Sequence, residues 1–118
     1  MLFRSGCASL PGIDAAEMAL PLSYLHHHHA MPEALRVKAR DELFVDMNMI
    51  PKDQIDAREG LRSLPPLLKG YLRLGARFGD GAVVDVKFNT TDVFVVMPIK
   101  EIDSRYIDYF GGMERRAA

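Results

Sequence analysis

Apolar and polar positions change their spacing along this chain, and the changes mark out its elements. Gly6-Cys7-Ala8-Ser9-Leu10 reads as the end of a buried strand, closed by the turn pair Pro11-Gly12. Asp14 then opens a helix. Its carboxylate is placed to accept from the N–H of Glu17, Glu17 can reach back, and Ile13 and Met18 occupy the two positions of a hydrophobic staple. The helix runs toward Leu25, with Pro21 removing a donor and so expected to kink or restart it. Pro32 suits the first turn of a short helix over residues 32–38, with Arg36, Lys38 and Arg40 near its C-terminal end. Residues 43–49 are a strand candidate stopped by Pro51.

Asp56 repeats the capping pattern and opens a helical turn as far as Leu64. Pro65-Pro66 starts another helix, in which Leu67, Leu68, Tyr71, Leu72 and Leu74 recur at helical spacing until Gly75. A Gly79-Asp80-Gly81 loop leads into a partly extended stretch over residues 82–88. Residues 92–97 form the clearest strand, β-branched and aromatic, with Pro98 after it. Asp103 caps a last short helix through Tyr109, ended by Gly111-Gly112. Strands alternating with helices predict an α/β layer structure.

Composition narrows the class. With 118 residues, 48% hydrophobic and 26% charged, the chain has the makings of a single globular domain and is too apolar for global disorder. Its 15 basic residues are cancelled by 16 acidic ones, so no nucleic-acid role driven by bulk charge is expected. One cysteine, Cys7, excludes an internal disulfide framework and fits a reducing compartment. The opening residues do not follow a signal-peptide pattern, because Arg4 follows Leu2 and Phe3 instead of preceding an apolar stretch. Leu2-Phe3-Arg4-Ser5 is also the translation of CTC-TTC-CGA-TCT, a common sequencing-adaptor tail. Residues 1–5 are therefore expected to be a non-native lead, with the domain proper over 6–118.

Several residues could carry chemistry, each with a plainer alternative. His26-His27-His28-His29 is conspicuous. His26 and His29 share a helix face, but their neighbours point away and no cysteine lies nearby, so no metal site is expected. The histidines suit a helix C-terminus, where imidazoles meet terminal carbonyls, and His28 is the candidate substrate contact among them. Cys7 and Ser9 lack the Gly-x-Ser-x-Gly elbow of a hydrolase nucleophile and fit a small buried thiol and a strand-end hydroxyl. Tyr24 could protonate a departing thiolate, or be core with its hydroxyl at the rim. Lys69, Arg73 and Arg77 recur at i,i+4 as a basic stripe suited to an anionic partner or membrane surface, or to a solvated helix face. Asp85 and Asp92 bracket Phe88-Asn89-Thr90-Thr91 and could hold an amine substrate by charge-assisted hydrogen bonds, or cap a turn.

Taken in order, GCASLPGID, LPLSYLHHHH, VDMNMIPK, LPPLLKGYLRLGA and FNTTDVFVVMPI resemble the C-terminal half of the ornithine–acyl-carrier-protein N-acyltransferases, a haemolysin-like branch of the GNAT acyltransferase superfamily. The resemblance covers residue 6 to about residue 110. It implies a partial GNAT-like mixed sheet with flanking helices. It also implies a reaction in which the α-amino group of ornithine attacks a 3-hydroxyacyl thioester on acyl-carrier protein (or acyl-CoA as co-substrate), giving lyso-ornithine lipid with no resident cofactor. By that analogy residues 6–10, including Ser9, line the acyl chain. Tyr24 stands where many such enzymes carry a general acid, and Asp92 is the second catalytic candidate. His28, Asp85, Phe88 and Thr91 are expected at the substrate. Lys69, Arg73 and Arg77 would suit acyl-carrier protein or anionic headgroups, consistent with a cytoplasmic protein peripheral to the inner membrane. The first splayed strand and phosphate-cradling turn of such a fold have no counterpart, so the chain alone is expected to be inactive. A related acyl-amino-acid or acyl-homoserine-lactone synthase, or a non-catalytic membrane or carrier-protein binding module, are the alternatives.

Overall fold

Valine and threonine crowd the stretch that becomes the middle of the sheet. The computed structural model describes residues 3–98; the helix expected over 103–109 lies outside the described residues. Strands β1 (Phe3–Pro11), β2 (Arg77–Asp85) and β3 (Thr90–Pro98) form one sheet in the order β1-β3-β2, with β3 antiparallel to both neighbours. Ala8 and Ala82 both pair with Val93, while Phe78 pairs with Val95 and Leu10 with Thr91. All seven of these side chains are buried on one face, as the two-residue period of a strand requires. The three strands pair antiparallel throughout, and parallel pairing occurs only at isolated bridges outside them, Ala30 with Phe78 and Lys38 with Asp80; with its flanking helices the described region is a mixed α/β unit, as expected.

Helix α1 (Ala15–His28) lies on the buried face, with Met18, Pro21, Leu22 and Leu25 recurring along one stripe. Asp14 caps it, but its Oδ1 accepts from the N–H of Ala16 at 2.8 Å, one residue before the expected Glu17. Pro21 does not end the helix, because the stripe it belongs to is buried on both sides of it. Helices α2 (Ala57–Arg62) and α3 (Pro66–Arg73) complete the layer. Asp56 Oδ1 accepts from Arg58 and Glu59, and Gly75 turns the chain out of α3 with φ +85°.

Four local expectations are corrected. The helix predicted over 32–38 is a single 3-10 turn, Glu33–Leu35. Beyond it the edge of β2 captures the backbone: Asp80 N–H donates to Val37 O at 2.7 Å and Ala39 N–H to Asp80 O at 2.8 Å. The strand predicted over 43–49 reduces to one bridge, Val45 with Ala82, before Asp46 Oδ1 takes the N–H of Asn48 and turns the chain. Gly79-Asp80-Gly81 is no loop but a bulge inside β2. A side chain at Gly79 would meet the Val37 carbonyl, and Gly81, with φ +86°, lies against the Phe44 ring. The thiol of Cys7 is exposed, not buried, because β1 is an edge strand whose second face is open.

Candidate functional site

Strand alternation sends Ser9 and Asp92, which are register partners, to the face of the sheet opposite α1. Ser9 Oγ donates to Asp92 Oδ1 at 2.7 Å and Thr90 Oγ1 donates to the same oxygen at 2.9 Å. Two hydroxyls thus fix the carboxylate, and Oδ2 has no partner among the described residues. An anion held this way, half-buried on an open face, can accept from an incoming ammonium group or take its proton. Asp85 pairs with Thr90 across the hairpin and so shares this face. Its Oδ1, however, accepts from the N–H of Phe88 at 3.1 Å, the turn-capping role. Phe88 is exposed at the tip. Thr91 points the other way, buried, and donates to Gly12 O at 2.9 Å. Of the expected substrate contacts, Ser9 therefore stands beside Asp92, Asp85 and Phe88 stand at the hairpin end, and Thr91 belongs to the core side.

Tyr24 occupies that core side, 6% exposed, beneath the bare α-carbon of Gly60, where an added Cβ would come within 2.9 Å of the tyrosine Cβ. Its hydroxyl is 3.0 Å from His29 Nε2. Burial pushes the phenol above its ordinary 10.0. Burial, then the charges of Arg77 and His28, push the His29 imidazole below its ordinary 6.5. The signs give a stability plateau. Below pH 6.5 the unfolded chain takes up protons that His29 resists, so stability falls as pH drops through the folded value. Above pH 10 the unfolded chain loses a phenolic proton that Tyr24 keeps, so stability falls again. Urea midpoints measured across pH are expected to show both limbs, and Tyr24→Phe to remove this residue's part of the alkaline one.

The other histidines sit at the end of α1 as expected, but they do not meet the helix's own last carbonyls. His27 Nε2 lies 3.0 Å from Ile50 O and 2.9 Å from Asn48 Oδ1, within reach of both for one shared N–H. His28 is exposed, its ring 5.3 Å from that of Tyr24. One residue missed in the sequence is Ser23. It is fully buried and donates to Met47 O while accepting from Met49 and Ile50 N–H at 3.1 and 2.9 Å. Together Ser23 and His27 clamp the loop over residues 47–50 to α1. The available signal was a lone hydroxyl within Leu22-Ser23-Tyr24-Leu25, which when buried must find partners.

The basic stripe is shorter than expected. Lys69 and Arg73 stand one turn apart on α3, but Arg77 begins β2 and folds back, its Nη1 donating to Ala76 O at 2.9 Å. Because α1 covers one face of the sheet and Asp92 lies on the other, the structure does not bring Tyr24 and Asp92 together. Among the described residues no helix is long and apolar enough to cross a membrane.

By sequence, the chain is related to acyltransferases. The relatives are proteins named L-ornithine N(alpha)-acyltransferase: one from Agrobacterium fabrum is 49% identical over 111 residues, covering 94% of this chain and 38% of the relative. One from Rhizobium meliloti is 50% identical over 106 residues, covering 90% and 36%, and one from Brucella abortus 49% identical over 111 residues, covering 94% and 40%. The chain therefore spans about two fifths of the length of the curated relatives it matches. No family model and no solved structure matches it.

Proposed function

We propose that this chain is part of an N-acyltransferase that moves a 3-hydroxyacyl group from acyl-carrier protein to the α-amino group of L-ornithine, giving lyso-ornithine lipid. The observation that carries the proposal is identity of 43–50% to ornithine acyltransferases along nearly the whole chain. In this reaction the C–N bond forms as the C–S bond breaks; the amine gives up a proton and the departing thiolate gains one. Asp92, held by Ser9 and Thr90, suits the first of these proton transfers. Tyr24, neutral at physiological pH, suits the second in chemistry but not in position, since one carbonyl carbon cannot face both sides of a sheet. Asp92 and Tyr24 are therefore alternative centres for the chemical step, not partners in it. Lys69 and Arg73 would meet an acidic carrier protein. On this proposal the protein works in the cytoplasm, beside the inner membrane.

The test is a chimera in which the matched stretch of the Agrobacterium fabrum relative is replaced by this chain. It is supplied with a 3-hydroxyacyl-carrier protein and L-ornithine, and the product is read by mass spectrometry. N-acyl-ornithine is the expected product. A folded chimera that acylates homoserine lactone or another amino acid in its place would overturn the acceptor assignment. Asp92→Asn is expected to lower turnover by about 100-fold, the lower end of the effect of a positioned base. If Tyr24→Phe does so instead, the chemistry belongs to the α1 side.

A further inference from the structure

The carboxylate of Asp92 is met by hydroxyls and, among the described residues, by no cation. Ser9, its register partner on β1, and Thr90, two residues before it on β3, both donate to Oδ1, at 2.7 and 2.9 Å. Its other neighbours on this face are Val83, across on β2, and Phe94, two residues along β3, and neither side chain carries a donor. No described lysine or arginine lies within ion-pair distance of it. A nearby cation would cancel the charge felt by a ligand, whereas a hydroxyl holds the carboxylate and leaves its net charge in place. The anchor is itself braced. Gly12 N–H donates to Asn89 O at 2.8 Å and Thr91 Oγ1 to Gly12 O at 2.9 Å, so the end of β1 that carries Ser9 is tied to the start of β3 that carries Thr90.

We propose, resting on the reading of Asp92 as the base that deprotonates ornithine, that Ser9 and Thr90 are positioning residues which divide its two oxygens between two jobs. Oδ1 is the anchor, and Oδ2 is the atom that takes the proton. With two donors Oδ1 has both lone pairs engaged, so a further donor is served by Oδ2. Hydroxyls from two different strands also stop the side chain from turning about its two rotatable bonds, which would carry Oδ2 through an arc. The oxygen therefore waits at one place, and a base held in place is what the transfer needs. In the step, a proton leaves the α-nitrogen for Oδ2, the nitrogen pair bonds to the thioester carbon, and the carboxylate becomes the neutral acid. The hydroxyl protons stay where they are. Ser9 thus has a different task from lining the acyl chain, and Thr90 has one that the sequence did not suggest. Asp85, the other carboxylate of this face, is not equivalent, because its Oδ1 is held by the turn backbone through Phe88 N–H at 3.1 Å.

The experiment uses the chimera, with kcat and the KM for L-ornithine measured separately. Ser9→Ala and Thr90→Val are each expected to lower kcat about tenfold and to change KM less than about twofold, because the charge that draws the amine is still present. Thr90→Ser and Ser9→Thr keep a hydroxyl and should restore most of the loss. Ser9 is exposed and Thr90 half-buried, so melting curves should stay with wild type. The deciding measurement is made in an Asp92→Asn background, already about 100-fold slow. There Ser9→Ala and Thr90→Val should cost nothing more, since they act only through that carboxylate, whereas a general structural role would add its loss in full. Wild-type kcat in the double variant Ser9→Ala, Thr90→Val would overturn the proposal. So would a loss that the hydroxyl-keeping variants do not restore, or one that persists in the Asp92→Asn background. Wild-type turnover by Asp92→Asn alone would overturn the reading of Asp92 as the base, and the positioning role with it.

Discussion

Phe78→Ala is expected to lower the unfolding free energy by about 3–5 kcal/mol. Phe78 is fully buried on β2 and pairs with Val95 of the central strand β3. Part of the cost is the lost transfer of the ring from water; the rest is the cavity, and its size depends on whether the surroundings can collapse. Here they cannot. Phe78 N–H donates to His29 O at 2.9 Å and Met31 N–H donates to Phe78 O at 2.9 Å, so β2 is pinned to the end of α1 on the side away from β3. A domain of this length has on the order of 6–18 kcal/mol of stability in all, so one ring carries a large share. Urea denaturation should show a lower midpoint with an unchanged slope. Val86→Ala, on the same hairpin but exposed, should stay within about 0.5 kcal/mol of wild type. A Phe78→Ala loss below about 1 kcal/mol would mean that the sheet does not pack on α1 as described.

Gly81→Val is expected to cost a comparable amount, about 2–6 kcal/mol, by a different route. Gly81 has φ +86°, a conformation that a β-branched residue occupies only under strain of about 1–3 kcal/mol. Its side chain would also enter the Phe44 ring and lie 3.2 Å from Ala39 Cβ, adding an overpacking cost of about 1–3 kcal/mol. The backbone cannot swing away. Ala82, the next residue, exchanges both of its hydrogen bonds with Val45 at 2.8 Å. Gly70→Ala is the contrasting control. A Cβ there would have nothing within 4 Å, and the position is inside α3, so alanine should stabilise by about 0.5–1 kcal/mol. If Gly81→Val melted with wild type, β2 would not hold its bulge against Phe44.

The fate of Gly79-Asp80-Gly81 shows where sequence patterning gives way. Two glycines around an aspartate carry the composition of a turn, and nothing local distinguishes a turn from a bulge. The deciding partners, Val37 and Phe44, lie some forty residues earlier in the chain. Residues 43–49 failed in the converse way. Their apolar composition is that of a strand, but the edge of β2 has room to pair only Val45 before Ser23 and Asp46 redirect the backbone. Ser23 was hidden because its three partners are loop backbone atoms, which carry no residue identity.

What the sequence determined by itself is the local part of this protein. Asp14 and Asp56 announce two helix starts, Pro66 and Gly75 bound a third helix, and the β-branched run over 92–97 makes the central strand, because caps, ring constraints and strand periodicity act within a few residues. The acyltransferase kinship was legible too, as a run of segments in order. Tertiary structure alone decided which chemical groups meet. Ser9 and Asp92 are 83 positions apart in the chain yet share a hydrogen bond, because strand register brings them abreast. Tyr24 and Asp92, which looked like partners, are separated by the sheet itself, because a side chain's face is set by pairing and packing that no local pattern encodes.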